Sequence, residues 1–151
     1  MGAATPPSSD ETGVFTLTIG SRLEHLAMVH GLIEGISRYF EIDEETANAL
    51  QIAVIEAGTN AIQHGNVFSA EKNVRFEFRI SPGLVKVCVE DRGRGFDPMK
   101  VGDPTGPSNL LDPNGRGLYL MRSLMDDVRF EVRADHGTTV CLTKARPAPS
   151  R

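Results

Sequence analysis

The sequence predicts an α+β chain, a two-layer α/β sandwich in which a mixed, mainly antiparallel sheet carries its helices on one face. Three observations predict it. Runs with a period of two at residues 14–19, 73–80, 84–91, 128–133 and 138–143 mark five strands. Ser81-Pro82-Gly83 joins two of those runs with turn chemistry, which makes them an antiparallel hairpin. Stretches with apolar residues every three or four positions, at 23–40, 43–65 and from Leu118 onward, mark helices between the strands.

Residues 1–12 are small, polar and proline-bearing, a composition that buries too little surface to offset the entropy of ordering, so a flexible tail is expected ahead of one domain at 13–144. In the first strand Val14, Thr16 and Thr18 alternate with Phe15, Leu17 and Ile19 until Gly20 closes the run. Ser21-Arg22-Leu23-Glu24 has the form of a capping box, which predicts a helix from there to about Phe40. Leu23, Leu26, Ile33, Ile36 and Phe40 would form its buried side, with His30 beside them as a core or edge histidine. Gly31 and Gly35 are either tolerated surface glycines or a place where a second backbone comes close, and each lowers helix stability by about 1 kcal/mol relative to alanine. Asp43 is a suitable N-cap for the second helix, with Glu44 and Glu45 in the first turn where the dipole favours negative charge. Gly65 is placed to end it at C′.

This second helix carries the pattern that matters most. Leu50, Val54, Ala57 and Ala61 form one apolar stripe, widened by Ile55 and Ile62, so most of the helix is expected to be buried. Yet Glu56, Asn60 and His64 recur at i, i+4 and i+8 on one face. A carboxylate, an amide and an imidazole on a mostly buried helix require partners, so a polar cavity is expected above them.

The hairpin's second strand delivers Asp91 at its end, followed by Arg92-Gly93-Arg94-Gly95, where glycines open the backbone at the mouth of the sheet. From 97 to 114 the chain holds four prolines and two glycines, a loop long enough to be a lid or a binding loop. It leads into Gly115-Arg116-Gly117, with Leu118, Met121 and Met125 at helical spacing beyond. A glycine pair at a helix N-terminus offers free amides to an anion, although such a pair also serves packing or a turn. The last two strands flank Asp135-His136-Gly137, and 145–151 is expected as a loose, proline-rich tail.

The composition, 40% hydrophobic and 24% charged over 151 residues, is that of one soluble domain. A net charge of −4 provides no basic field for nucleic acid, which excludes DNA or RNA as primary partners. Cys88 and Cys141 lack metal-ligand spacing and sit in strand-like runs, so reduced core cysteines are expected. With no apolar run long enough to span a membrane and no secretion signal, the expected compartment is the cytoplasm.

The order and spacing of these motifs resemble the GHKL ATP-binding fold (the Bergerat fold) shared by gyrase-type ATPases and histidine kinases, and within it the bacterial anti-sigma factor serine protein kinases. The matching residues are Glu56-Ala57-Gly58-Thr59-Asn60-Ala61-Ile62-Gln63-His64-Gly65, Asp91-Arg92-Gly93-Arg94-Gly95-Phe96, Gly115-Arg116-Gly117-Leu118 and Gly137-Thr138-Thr139, and the likeness spans residues 14–144. It implies that ATP and Mg²⁺ are the cofactors. Asp91, an acceptor only, suits the exocyclic amine of adenine and repels the carbonyl of guanine, with Thr138 supporting the same edge. Gly93 and Gly95 let the backbone pass close to the nucleotide, while Gly115, Gly117 and the neighbouring Leu118 belong to the phosphate-binding turn. Asn60 supplies a neutral oxygen for Mg²⁺, and Glu56, one turn earlier, lies where a general base would take a proton from an attacking hydroxyl. His64 faces either the phosphates and lid or the end of the helix, and Arg116 meets phosphate, a partner or solvent.

The resemblance further implies a serine/threonine-protein kinase that phosphorylates an anti-anti-sigma (STAS-type) protein and sequesters a sigma factor, usually as a homodimer. One departure stands out: Pro113-Asn114 precede Gly115 where several relatives carry an arginine, and Lys100 is the lid's only basic residue. That departure keeps open an ATP-responsive binding module without phosphotransfer. A detached histidine-kinase catalytic domain is the third reading, but the N-terminal segment has no room for the dimerising helices that bear a phospho-accepting histidine.

Overall fold

The computed structural model describes residues 5, 10–93, 113–133 and 136–147. Five strands form one open sheet in the order β1-β2-β3-β5-β4, where β1 is Gly13–Gly20, β2 Asn73–Ser81, β3 Leu84–Glu90, β4 Asp127–Arg133 and β5 Gly137–Ala145. Each of the four pairings is antiparallel, so the sheet is antiparallel throughout the described residues rather than mixed. Helices α1 (Leu26–Tyr39), α2 (Glu44–Asn60) and α3 (Pro113–Leu124) complete the α+β architecture.

The period of two explains which face the helices cover. Val74, Phe76, Phe78 and Ile80 of β2 and Val85, Val87 and Val89 of β3 are buried, while Arg75, Arg79 and Lys86 between them are exposed. The buried face meets Leu26, Val29, Ile33 and Ile36 of α1, Leu50, Ala53, Val54 and Ala57 of α2, and Leu118 and Met121 of α3 in one continuous core. Gly31 and Gly35 are exposed, with nothing within 4 Å of an added Cβ, so both are tolerated surface glycines. His30 is exposed as well, 3.9 Å from Glu34.

Four expectations are corrected. Ser21 closes no capping box: α1 is entered through a 3₁₀ turn, Leu23–His25, whose N-cap Arg22 makes no side-chain cap bond. The Ser21 hydroxyl donates to the Lys72 carbonyl and accepts from Asn66, a tertiary competitor that the local pattern does not reveal. Gly65 is no left-handed C′ residue; α2 runs on into a π turn, Ala61–Gly65, and the left-handed residues are Val67 and Phe68. Helix α3 begins two residues before Gly115, at Pro113, whose fixed φ and missing N–H suit a first helical position. Finally, Cys88 and Cys141 are not reduced: they face each other across β3 and β5 and form a disulfide, with Cα atoms 4.1 Å apart. They lie on the side of the sheet away from the helices, alternating with the core residues Val87, Val89, Val140 and Leu142. Their register is set by pairing between distant segments, which spacing along the chain does not show.

Asp43 caps α2 as expected, accepting from the Thr46 amide at 3.1 Å. The Thr46 side chain first, and that amide bond after it, hold the Asp43 carboxyl below the usual range, so its stabilisation is present above the unfolded carboxylate pKa and is lost as pH falls through the folded value. Asp43→Ala is expected to lower stability by about 1 kcal/mol near neutral pH. In urea titrations the gap between variant and wild type should close on acidification; a gap that persists at low pH would show that the carboxylate is not the stabilising group.

Candidate functional site

Where β3, β5, α2 and α3 converge, they frame a cleft whose empty space, open mouth included, is about 520 Å³. Its walls are mostly apolar: Ala57 and Ala61 from α2 and its π turn, Val89 from β3, Leu118 and Met121 from α3, Phe130 from β4 and Val140 from β5. Asn60, His64, Asp91 and Thr138 are the polar side chains on its lining.

Asp91 is 6% exposed. Its Oδ1 accepts from the Gly93 amide at 2.9 Å and the Thr138 amide at 3.2 Å, and its own amide donates to the Thr138 carbonyl at 3.0 Å. Oδ2 has no hydrogen-bond partner among the described residues and remains available as an acceptor in the cleft. Burial pushes the carboxyl above the ordinary range against the two amide bonds, which pull it down.

Three glycines let the backbone close around this carboxylate. A Cβ on Gly65 would lie 2.4 Å from Asp91 Cγ, one on Gly93 2.0 Å from the Gly65 carbonyl oxygen, and one on Gly137, at φ +106°, 2.1 Å from the Asp91 carbonyl oxygen. Gly93 therefore permits close backbone packing, beyond the approach to a ligand expected from its motif. Gly95 and residues 97–112 of the anticipated lid lie outside the described residues.

The polar stripe of α2 is brought to the same region with one change of phase. Glu56 and Asn60 stay one α turn apart and half-buried, and both face α3: a Cβ on Gly117 would lie 3.1 Å from Glu56 Oε2 and 3.2 Å from Asn60 Nδ2. Beyond Asn60 the π turn alters the helical phase, and His64 lines the cleft from an exposed position. Gly115 and Gly117 are the third and fifth residues of α3, and Arg116 between them is exposed. Among the described residues no group of three His, Cys, Asp or Glu could hold a metal. The side-chain oxygen of Asn60 suits a cation that takes few protein ligands and completes its shell with phosphate and water.

Sequence reasoning missed the apolar walls contributed by Phe130 and Val140, which only the sheet order brings to the cleft. It also missed Asn66, 2% exposed, whose Oδ1 accepts from the Arg92 amide at 2.8 Å just past Asp91. No local signal separated that asparagine from a turn residue.

Known proteins provide an independent comparison. The family model described as "Histidine kinase-like ATPase domain" matches residues 19–144. "Serine-protein kinase RsbW" of Bacillus subtilis (strain 168) is 33% identical over 134 residues, covering 85% of this chain and 82% of that protein. The protein of the same name from Bacillus pumilus (strain SAFR-032) is 30% identical over 144 residues, covering 90% and 88%. Among solved structures, the RsbU and RsbW domains of Rv1364c from Mycobacterium tuberculosis align with TM-score 0.69 at 18% identity, covering 92% of this chain. This chain spans about a third of that one, 34%, and the likeness carries the fold alone. The blue-light activated histidine kinase EL346 of Erythrobacter litoralis aligns with TM-score 0.56 at 22% identity, over 80% of this chain and 40% of its own.

The raised pKa of Asp91 has a measurable sign. The folded state holds this proton more tightly than the unfolded chain, so the group's contribution is full below the unfolded pKa and is lost as pH rises through the folded value. Asp91→Asn keeps an oxygen for both amides and does not titrate. Its stability in urea should therefore gain on wild type as pH rises from below the ordinary carboxylate pKa through the raised folded value. A difference independent of pH would show that Asp91 is not desolvated.

Proposed function

Because this chain belongs to the histidine kinase-like ATPase domain family, we propose that it is an anti-sigma factor that works by phosphorylating one partner and holding another. Its extended similarity to serine-protein kinases makes it a serine/threonine-protein kinase that uses ATP. The observation that carries the site-level reading is that Asn60 and Asp91 line one cleft, with Glu56 beside Asn60 against Gly117 of α3. A nucleotide bridging these points sets its base on Asp91 and its phosphates toward the start of α3.

Each residue then has a defined task. Asp91 Oδ2 accepts from the exocyclic amine of adenine, and the Thr138 side chain flanks the same edge. Leu118, Met121, Phe130 and Val140 exclude water from the ring faces. The unpaired amides of the first turn of α3, Gly115 included, near the positive end of its dipole, receive phosphate oxygens, while Gly117, whose own amide lies within the helical ladder, leaves them room beside Glu56 and Asn60. Asn60 would hold Mg²⁺, which supplies charge neutralisation on the phosphates when bound. Glu56, one turn away, takes the proton of the attacking serine or threonine hydroxyl; positioned proton transfer of this kind contributes about 10²–10⁴ in rate. His64 and Arg116 stand at the exposed rim, where phosphate, lid or protein partner comes within reach.

The acceptor is proposed to be a STAS-type anti-anti-sigma protein, and the sequestered partner a sigma factor, with the kinase acting as a homodimer. No described helix is long and apolar enough to cross a membrane. The missing arginine before Gly115 is the observation that speaks for a second reading beside it, in which ATP controls binding and no phosphoryl group moves.

The two readings separate in one assay. With ATP labelled at the γ-phosphate and a candidate anti-anti-sigma protein, wild type should transfer label, and Glu56→Gln should slow transfer by about 10²–10⁴ while still binding ATP. Transfer that survives the substitution unchanged removes Glu56 from its role. Absence of transfer from wild type to a partner it demonstrably binds supports the switch without phosphotransfer.

A further inference from the structure

We propose that Asn66 is a positioning residue for nucleobase selection: its buried amide locks the peptide after Asp91, so that the free carboxylate oxygen stays aimed at the base. The proposal rests on the reading of Asp91 as the adenine acceptor.

Asn66 lies just past the π turn and joins three separate parts of the chain. Its Oδ1 accepts from the Arg92 amide at 2.8 Å; its Nδ2 donates to Ser21 Oγ at 2.9 Å and to the Asn73 carbonyl at 3.1 Å. The orientation is unambiguous, because a backbone amide can only donate and a backbone carbonyl can only accept. Ser21, 3% exposed, passes the chain on to the Lys72 carbonyl. The amide is thus anchored at one end in the β1–α1 junction and the start of β2, and at the other in the residue that follows Asp91.

The local backbone is strained around this side chain. The Asn66 amide donates to the Ala61 carbonyl at 2.8 Å, the widened bond of the π turn. Val67 and Phe68 then take φ of +51° and +57°, a region that β-branched and bulky residues rarely enter, while remaining 70% and 53% exposed. Neither side chain gains burial from that conformation. What the turn does place is Asn66, inside the molecule and against Arg92.

The consequence for selectivity follows from the geometry of Asp91. Oδ1 is held by the amides of Gly93 and Thr138, so the direction of Oδ2 depends on the path of residues 91–93. Without the bond to Arg92 that path relaxes, and a buried amide is left unpaired. Recognition of one base edge suffers more than phosphate binding at α3, which is built on other segments.

The test is calorimetric binding of ATP and of inosine triphosphate, which carries oxygen where adenine carries its amine, by the full chain with magnesium. Wild type should favour ATP, and Asp91→Asn should abolish the preference. Asn66→Ala should reduce the ATP-over-ITP ratio by about fivefold or more, with ITP affinity changed by less than about twofold, and Asn66→Asp, which retains an acceptor for Arg92, should recover part of it. A merely structural loss lowers the competent fraction for both nucleotides alike and leaves the ratio intact. If Asn66→Ala does not fold, Ser21→Ala is measured instead; it loosens the other end of the amide and should lower the ratio by about twofold. A ratio unchanged in the measurable variant, with Asp91→Asn still abolishing it, overturns the positioning role alone. No preference in wild type overturns the adenine reading beneath it.

Discussion

Asp91 keeps a carboxylate inside the protein with only one oxygen committed to backbone amides, and the geometry of the site follows from accommodating it. A buried carboxylate needs donors in contact, and here they are main-chain amides, from Gly93 two residues on and from Thr138 in the neighbouring strand. Amides approach that closely only where side chains do not intervene. Gly65, Gly93 and Gly137 stand at the three points where a Cβ would meet Asp91 or the backbone around it. The end of α2, the end of β3 and the start of β5 are thus drawn together at one carboxylate, and the cleft is the space left beside it.

The π turn reconciles two demands on α2. Its apolar stripe packs Ala53, Val54 and Ala57 into the core, which fixes the helix rotation up to Asn60. Beyond that point Gly65 must lie against Asp91, and Asn66 must turn inward. A wider turn at Ala61–Gly65 changes the phase between the two, and Val67 and Phe68 absorb the reversal in left-handed conformations. Glu56 and Asn60 keep α-helical spacing and face Gly117, so the pair proposed for chemistry stays on the rigid part of the helix. The base recognition and the phosphoryl chemistry proposed here accordingly rest on different supports: the sheet end with its glycine cage, and the α2–α3 contact.

The disulfide belongs to neither support. Cys88 and Cys141 join β3 to β5 three residues from Asp91 and Thr138 respectively, on the face turned away from the helices. It closes a chain segment with a sequence separation of 53, which includes α3, β4 and the region between Gly93 and Pro113. Its effect falls on how far that segment can open when the ladder is lost, since a cross-link of this span chiefly limits the unfolded chain.

Much was determined by the sequence alone, because the physics involved is local. Five strands follow from alternation, three helices from a period near 3.6, the Asp43 cap from its residue type, and the shared face of Glu56 and Asn60 from their spacing, which the π turn breaks before His64. Asp91 at the end of a strand and the glycines after it were legible for the same reason. Only the tertiary structure decided what depended on distant segments meeting. Ser21 gave up a helix cap for Asn66 and Lys72; Gly65 proved necessary for contact with Asp91 rather than for its own backbone angle; Cys88 met Cys141 through the β3–β5 register; and Asn66 came to hold Arg92. Each outcome is a contact between residues far apart in the chain, and no periodicity along a single strand or helix encodes which partner the fold will supply.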